Sequence, residues 1–177
     1  MSGEPTQFQR DYTPLLSLQP QPSRDESMRA LIDALWNAFS NSGPESAGPP
    51  FYSWVGIYVR DPENPQQMVL GPSRDTPACS PIELHGACGR CMTERRALLI
   101  PDVTTLGDNY IACDPNDASE VVVPLLKSDG TCDAVLDVDS HQVNAFDAHD
   151  ASQLALLLEH LGISSAPPDG RQEPIVL

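Results

Sequence analysis

The chain has 177 residues, 40% of them hydrophobic, and a formal net charge of −15 at pH 7. That length most simply holds one domain with tails, and the acidic balance argues against nucleic acid, whose phosphates such a surface would repel. No apolar stretch approaches the roughly 20 residues needed to span a bilayer, so no membrane partner is expected.

Residues 1–26 read as a proline-rich N-terminal arm, mobile or draped, since seven of the 18 prolines fall in residues 1–50. The start lacks the basic segment and apolar core of a signal peptide, so the expected setting is cytoplasmic, with its thiols reduced. The domain proper is expected over residues 27–163. "SMRALIDALWNAFSNSG" opens with a capping Ser27 and carries Met28, Leu31, Ile32, Leu35 and Phe39 on one stripe. It predicts an amphipathic helix closing near Gly43, followed by the loop "SGPESAGPP". "FYSWVGIYV" is aromatic and β-branched and predicts a strand, with "QQMVLGP" a second one after the turn "DPENP".

"HGACGRCMTERRA" predicts a helix with Cys88, Cys91 and Met92 on one face, and "ALLIPDV" a strand. A turn-rich loop holds Cys113, and "EVVVPLL", "KSDGT" and "CDAVLDVDS" then form a hairpin. "FDAHDASQLALLLEHLG" predicts a helix with Asp147 at its N-cap and Gly162 past its end. Residues 164–177 read as a flexible C-terminal tail. The order of elements suits an α/β protein of the α+β type, a sheet flanked by helices.

The hairpin is the most informative segment. If Asp129 and Gly130 form its tip, Val122 faces Asp137 and Glu120 faces Asp139. Strand alternation then puts Asp137 and Asp139 on one side, roughly 7 Å apart, and cross-strand pairing adds Glu120. Like charges so placed ask for a cation, a shared proton or exposure to water. Val135 lies on the same face in a largely apolar strand, which favours a functional cluster over a solvated edge. Pro124 within the strand implies an edge or a bulge.

Cys113 lies between a tyrosine and two aspartates, where carboxylates should raise a thiol's pKa and blunt it as a general nucleophile. The placement suits a cationic, oxygen-bearing substrate that needs protonation as the sulfur attacks. "CGRC", Cys88 to Cys91, invites a redox-pair reading or half of a zinc site completed by Cys79, Cys113 or His85. Against both stands a short helix with two small buried thiols one turn apart. Cys132 is expected to pack at a strand start, and His141, His149 and His160 to face solvent.

"WVGIYV", "MVLGP", "ACSPI", "GACG", "IPDV", "NYIACD", "SEVVVPL" and "VLDVDS" occur in the order seen in free methionine-(R)-sulfoxide reductases, which are single GAF domains. The chain resembles that family over about residues 51–141. The resemblance implies a GAF domain with a mostly antiparallel central sheet, acting on free methionine-(R)-sulfoxide rather than on protein-bound residues. It implies Cys113 as the nucleophile and Cys79 as the resolving cysteine, the two joining in a disulfide that thioredoxin reduces. Glu120, Asp137 and Asp139 match the family's substrate-pocket carboxylates. Trp54 and Tyr58, on one strand face by alternation, match its aromatic wall. No bound cofactor and no metal are implied, and a homodimer is expected by analogy.

Two departures set this chain apart. "IELHGACG" replaces a glycine- and arginine-containing stretch, with the Cys79–Cys88 interval one residue shorter than in the family. Cys91 stands where the family has a small apolar residue, so Cys88 and Cys91 are candidate auxiliary thiols, expected to be dispensable for one turnover. The rival from another class is a GAF sensor that binds a small ligand without chemistry. Its sequence mark would be an attached output domain, which this chain is expected to lack.

Overall fold

The computed structural model describes residues 9–40, 51–75, 77–111 and 113–177. A serine three residues ahead of a glutamate starts the first helix. Ser23 accepts from the Glu26 amide while the Glu26 carboxylate accepts from the Ser23 amide, and α1 runs Arg24–Phe39. The cap is therefore Ser23 rather than Ser27, whose buried hydroxyl accepts from the Gln21 amide instead. The expected closure near Gly43 and the loop after it lie outside the described residues.

The strands are β1 (Trp54–Arg60), β2 (Gln67–Arg74), β3 (Ile82–Glu83), β4 (Leu98–Ile100), β5 (Ser119–Leu126), β6 (Cys132–Ser140) and β7 (Ile175–Val176). Helices α2 (Ala87–Glu94) and α3 (Ala148–His160) complete the set. Among the described residues the strands form one seven-stranded sheet in the order β3-β2-β1-β6-β5-β4-β7, antiparallel except for the parallel pair β4–β7. This is the expected fold class.

The β5–β6 hairpin has the expected register, Glu120 opposite Asp139 and Val122 opposite Asp137. Gly130 makes it possible, with a φ of 79° in the turn that other residues adopt only with strain. β4 pairs with β5 only as far as Val122, so Pro124 sits beside an open stretch of edge.

Alternation gives the sheet two unlike faces. Val55, Ile57, Val121, Val123, Leu136 and Val138 pack against Leu31, Leu35, Leu154 and Leu158 of α1 and α3. The opposite face carries Trp54, Tyr58, Val122 and Val135 and is covered by Cys88, Cys91 and Met92 of the much shorter α2. That shorter cover leaves part of the second face to loops, and the cleft opens there.

Of the two readings open for the arm, the described part takes the draped one, while the C-terminal end differs from expectation. The described part of the arm is draped and locked: Tyr12 and Leu15 are buried, and Arg10 is paired with Asp150 at 2.9 Å. Tyr12 donates to the same carboxylate oxygen at 2.8 Å. The C-terminal end, expected as a flexible tail, adds β7 to the sheet, with the Ile175 amide donating to the Ala97 carbonyl and the Leu177 amide to that of Leu99. A two-residue strand carries no periodicity of its own, so its pairing comes from the edge it meets.

Candidate active site

On the α2 side of the sheet a cleft is bounded by the strands at its floor and by the Cys79 and Cys113 loops at its mouth. Asp137 of β6 lies between Gly56 of β1 and Val122 of β5, and Asp139 between Trp54 and Glu120. The three carboxylates expected to share a face do line one cleft. Glu120 and Asp137 are 4% and 7% exposed, which rules out a solvated edge.

Gly56 shapes the aromatic wall. A Cβ there would overlap the indole ring of Trp54, so only glycine lets that ring lie along the strand. The Trp54 and Tyr58 rings stand 5.8 Å apart, on one face as alternation requires.

No lysine or arginine lines this cleft among the described residues. Burial, then the charge of Asp137, pushes the Glu120 carboxyl well above its ordinary range. Asp139 is raised by burial and by the charges of Asp137 and Glu120. Burial raises Asp137 to about 6, opposed by the hydrogen bond it accepts from the Cys88 thiol at 3.2 Å. Such a group cannot hold all its charges at once, so the cluster keeps a protonated carboxyl beside an ionised one, a donor next to an acceptor. Asp137 Oδ1 and the Trp54 indole nitrogen are buried with no hydrogen-bond partner among the described residues, an acceptor and a donor to offer a ligand.

Cys79, between β2 and β3, and Cys113, on the loop before β5, are joined by a disulfide with their Cα atoms 5.5 Å apart. The Cys79 loop is pinned on two sides. The Tyr58 hydroxyl donates to the Cys79 carbonyl at 2.8 Å, and the Leu70 amide donates to the Ser80 hydroxyl. In the other loop Asp114 accepts from the Asn116 amide, closing a tight turn directly after Cys113.

Cys88 and Cys91 sit within α2, both buried. Burial, then the charge of Asp137, holds the Cys88 thiol well above its usual pKa, and burial does the same for Cys91. Neither is a ready nucleophile. Among the described residues, the groups able to bring three ligand atoms within 4.8 Å are Cys88, Glu120 and Asp137, and separately Asp114, Asp117 and His141. Neither contains Cys91. Cys132 packs at the start of β6 as expected.

Sequence reasoning missed Asp117, a fourth carboxylate in the cleft, raised to about 6 by burial against the Ser53 hydroxyl that donates to it. It lies in a loop, where no periodicity signals a face. His141 and His160 are exposed as expected, and His149 is half-buried, but each also has a partner. His149 and His160 contact the backbone oxygens of Arg10 and Leu18, and His141 contacts the Asp114 carboxylate at 2.9 Å.

The GAF domain family profile matches residues 23–164. The chain is 39% identical over 111 residues to the GAF domain-containing protein A of Dictyostelium discoideum, covering 62% of this chain and 68% of that one. It is 30% identical over 124 residues to the free methionine-R-sulfoxide reductase of Saccharomyces cerevisiae, covering 70% and 65%. The chain thus spans about two thirds of the length of each of these relatives. The fold is similar to that of the free methionine-R-sulfoxide reductase of Neisseria meningitidis in complex with its substrate. The TM-score is 0.68, with 31% identity and coverage of 80% of this chain and 77% of that one.

Proposed function

The chain belongs to the GAF domain family, and from that premise we propose that it reduces free methionine-(R)-sulfoxide to methionine. The observation that carries the reading is the Cys79–Cys113 disulfide at the mouth of a cleft floored by buried carboxylates. An acidic pocket repels anions and suits an ammonium group. A protonated carboxyl suits the sulfoxide oxygen, whose departure from sulfur needs a proton.

In this mechanism the reduced Cys113 attacks the sulfoxide sulfur as the oxygen is protonated. Methionine is released as the oxygen passes to Cys113, which becomes a sulfenic acid. The sulfoxide is thereby reduced by two electrons and the cysteine oxidised by two. The Cys79 thiol then displaces the sulfenic oxygen as water, forming the disulfide. A dithiol donor, to which we assign thioredoxin in the cytoplasm, returns both cysteines to thiols by exchange. Trp54 and Tyr58 hold the methyl group, while Glu120, Asp137 and Asp139 hold the amino group and protonate the oxygen. A dimer, expected by analogy, enters none of these steps.

The test is thiol-coupled turnover of the R and S epimers of free methionine sulfoxide by wild type and Cys113→Ser. Turnover of the R epimer alone, lost in the variant, is expected. Binding of sulfoxide with no thiol consumed would instead make the protein a ligand sensor.

A further inference from the structure

We propose that His141 is a positioning residue for Cys113, acting through Asp114; this rests on the catalytic reading of Cys113 given above. His141 follows β6 directly, and its Nε2 lies 2.9 Å from Asp114 Oδ2 and 3.6 Å from Asp117 Oδ1. The same Asp117 oxygen accepts from the Ser53 hydroxyl at 3.0 Å, and the Ser53 amide donates to the Asp139 carbonyl at 2.8 Å. One imidazole thus ties the segment after Cys113 to the end of β6 and the approach to β1, the two strands that carry the cleft floor.

Asp114 is bonded in sequence to Cys113, so a carboxylate held on both oxygens restrains where the nucleophile sits. Its other oxygen closes the turn with Asn116, so one carboxylate sets both the shape of the loop and its distance from the sheet. The backbone tether at the far end of the segment is the Ala118 amide donating to the Ser140 carbonyl. His141 is absent from the residues lining the cleft and its side chain is 51% exposed, so it does not touch substrate and adds little to global stability. Its effect is confined to where the loop sits.

The experiment uses the full chain, reduced, as wild type, His141→Ala, His141→Gln and Asp114→Asn. Amide hydrogen exchange of residues 113–118 is followed without substrate, and methionine formation from the R sulfoxide is followed with it. In His141→Ala the loop is expected to exchange several-fold faster than in wild type, because its anchor is gone. There kcat is expected to fall roughly tenfold with KM almost unchanged, the pattern of a misplaced reacting group rather than of lost binding. His141→Gln, which can still donate to Asp114, is expected to restore most of both.

Asp114→Asn keeps the turn acceptor while altering the side facing His141, and is expected to resemble His141→Ala; it decides the matter if His141→Ala does not fold. Wild-type exchange together with wild-type kcat in the variants would overturn the proposal, as would a rise in KM at constant kcat. Absence of turnover in wild type would overturn the catalytic reading instead, while the exchange measurement would still report whether His141 anchors the loop.

Discussion

The Tyr58 hydroxyl donates a 2.8 Å hydrogen bond to the carbonyl oxygen of Cys79. A rigid residue of β1 therefore holds the backbone of the loop that completes the disulfide, while its ring forms part of the cleft wall. The two duties are separable by chemistry, since phenylalanine keeps the ring and loses the donor.

Tyr58→Phe removes one hydrogen bond worth about 1 kcal/mol, equivalent to roughly fivefold in a rate that depends on it. The step expected to slow is disulfide formation, so the sulfenic acid on Cys113 should persist longer and trap more efficiently with a dione reagent. Disulfide formation as fast as in wild type would show that the Cys79 loop needs no such anchor.

Asp137 predicts how stability varies with pH. Its folded pKa lies near 6, against an ordinary 3.8. Between these values the folded state keeps a proton that the unfolded state releases, so stability falls as pH rises through this window. The folded state is therefore penalised at pH 8, where Asp137 must ionise in a buried site among other carboxyls. Asp137→Asn should raise the denaturation midpoint at pH 8 well above wild type and much less at pH 4, while lowering activity. An equal gain at both pH values would place the effect elsewhere than in ionisation.

Arg10 predicts that the arm belongs to the fold. Arg10→Ala leaves the buried Asp150 carboxylate without its cation and should cost about 3 kcal/mol in urea unfolding. A change below roughly 0.5 kcal/mol, the range of an ordinary surface substitution, would mean that Tyr12 and the helix cap satisfy Asp150 unaided.

The parts of the molecule that were readable in advance are those governed by local rules. The Asp129-Gly130 turn and strand alternation together placed Glu120, Asp137 and Asp139 on one face, because a two-residue period leaves no freedom once the tip is set. Asp147 and Gly162 marked the ends of α3 by capping chemistry. The cap of α1 is also written locally, in Ser23-x-x-Glu26, although Ser27 stands nearer the apolar stripe. Arg10 on Asp150, β7 on β4 and His141 on Asp114 join segments up to 140 residues apart, which no short window contains. The floor of the cleft was legible from strand alternation, whereas its mouth, built of loops without periodicity, was legible only through the family resemblance that paired Cys79 with Cys113.

The parallel pairing of β7 with β4 has a consequence for life in a crowded solution. Leu98–Ile100 is a buried, wholly apolar strand, and β7 occupies the hydrogen-bonding groups along its outer side. At the other end of the sheet β3 is two residues long. The outermost strand on either side is thus short, and beside Leu98–Ile100 another chain finds little backbone to pair with. Removing the last few residues would bare Leu98–Ile100 as a sticky template, so the C-terminal strand acts as the molecule's guard against aggregation.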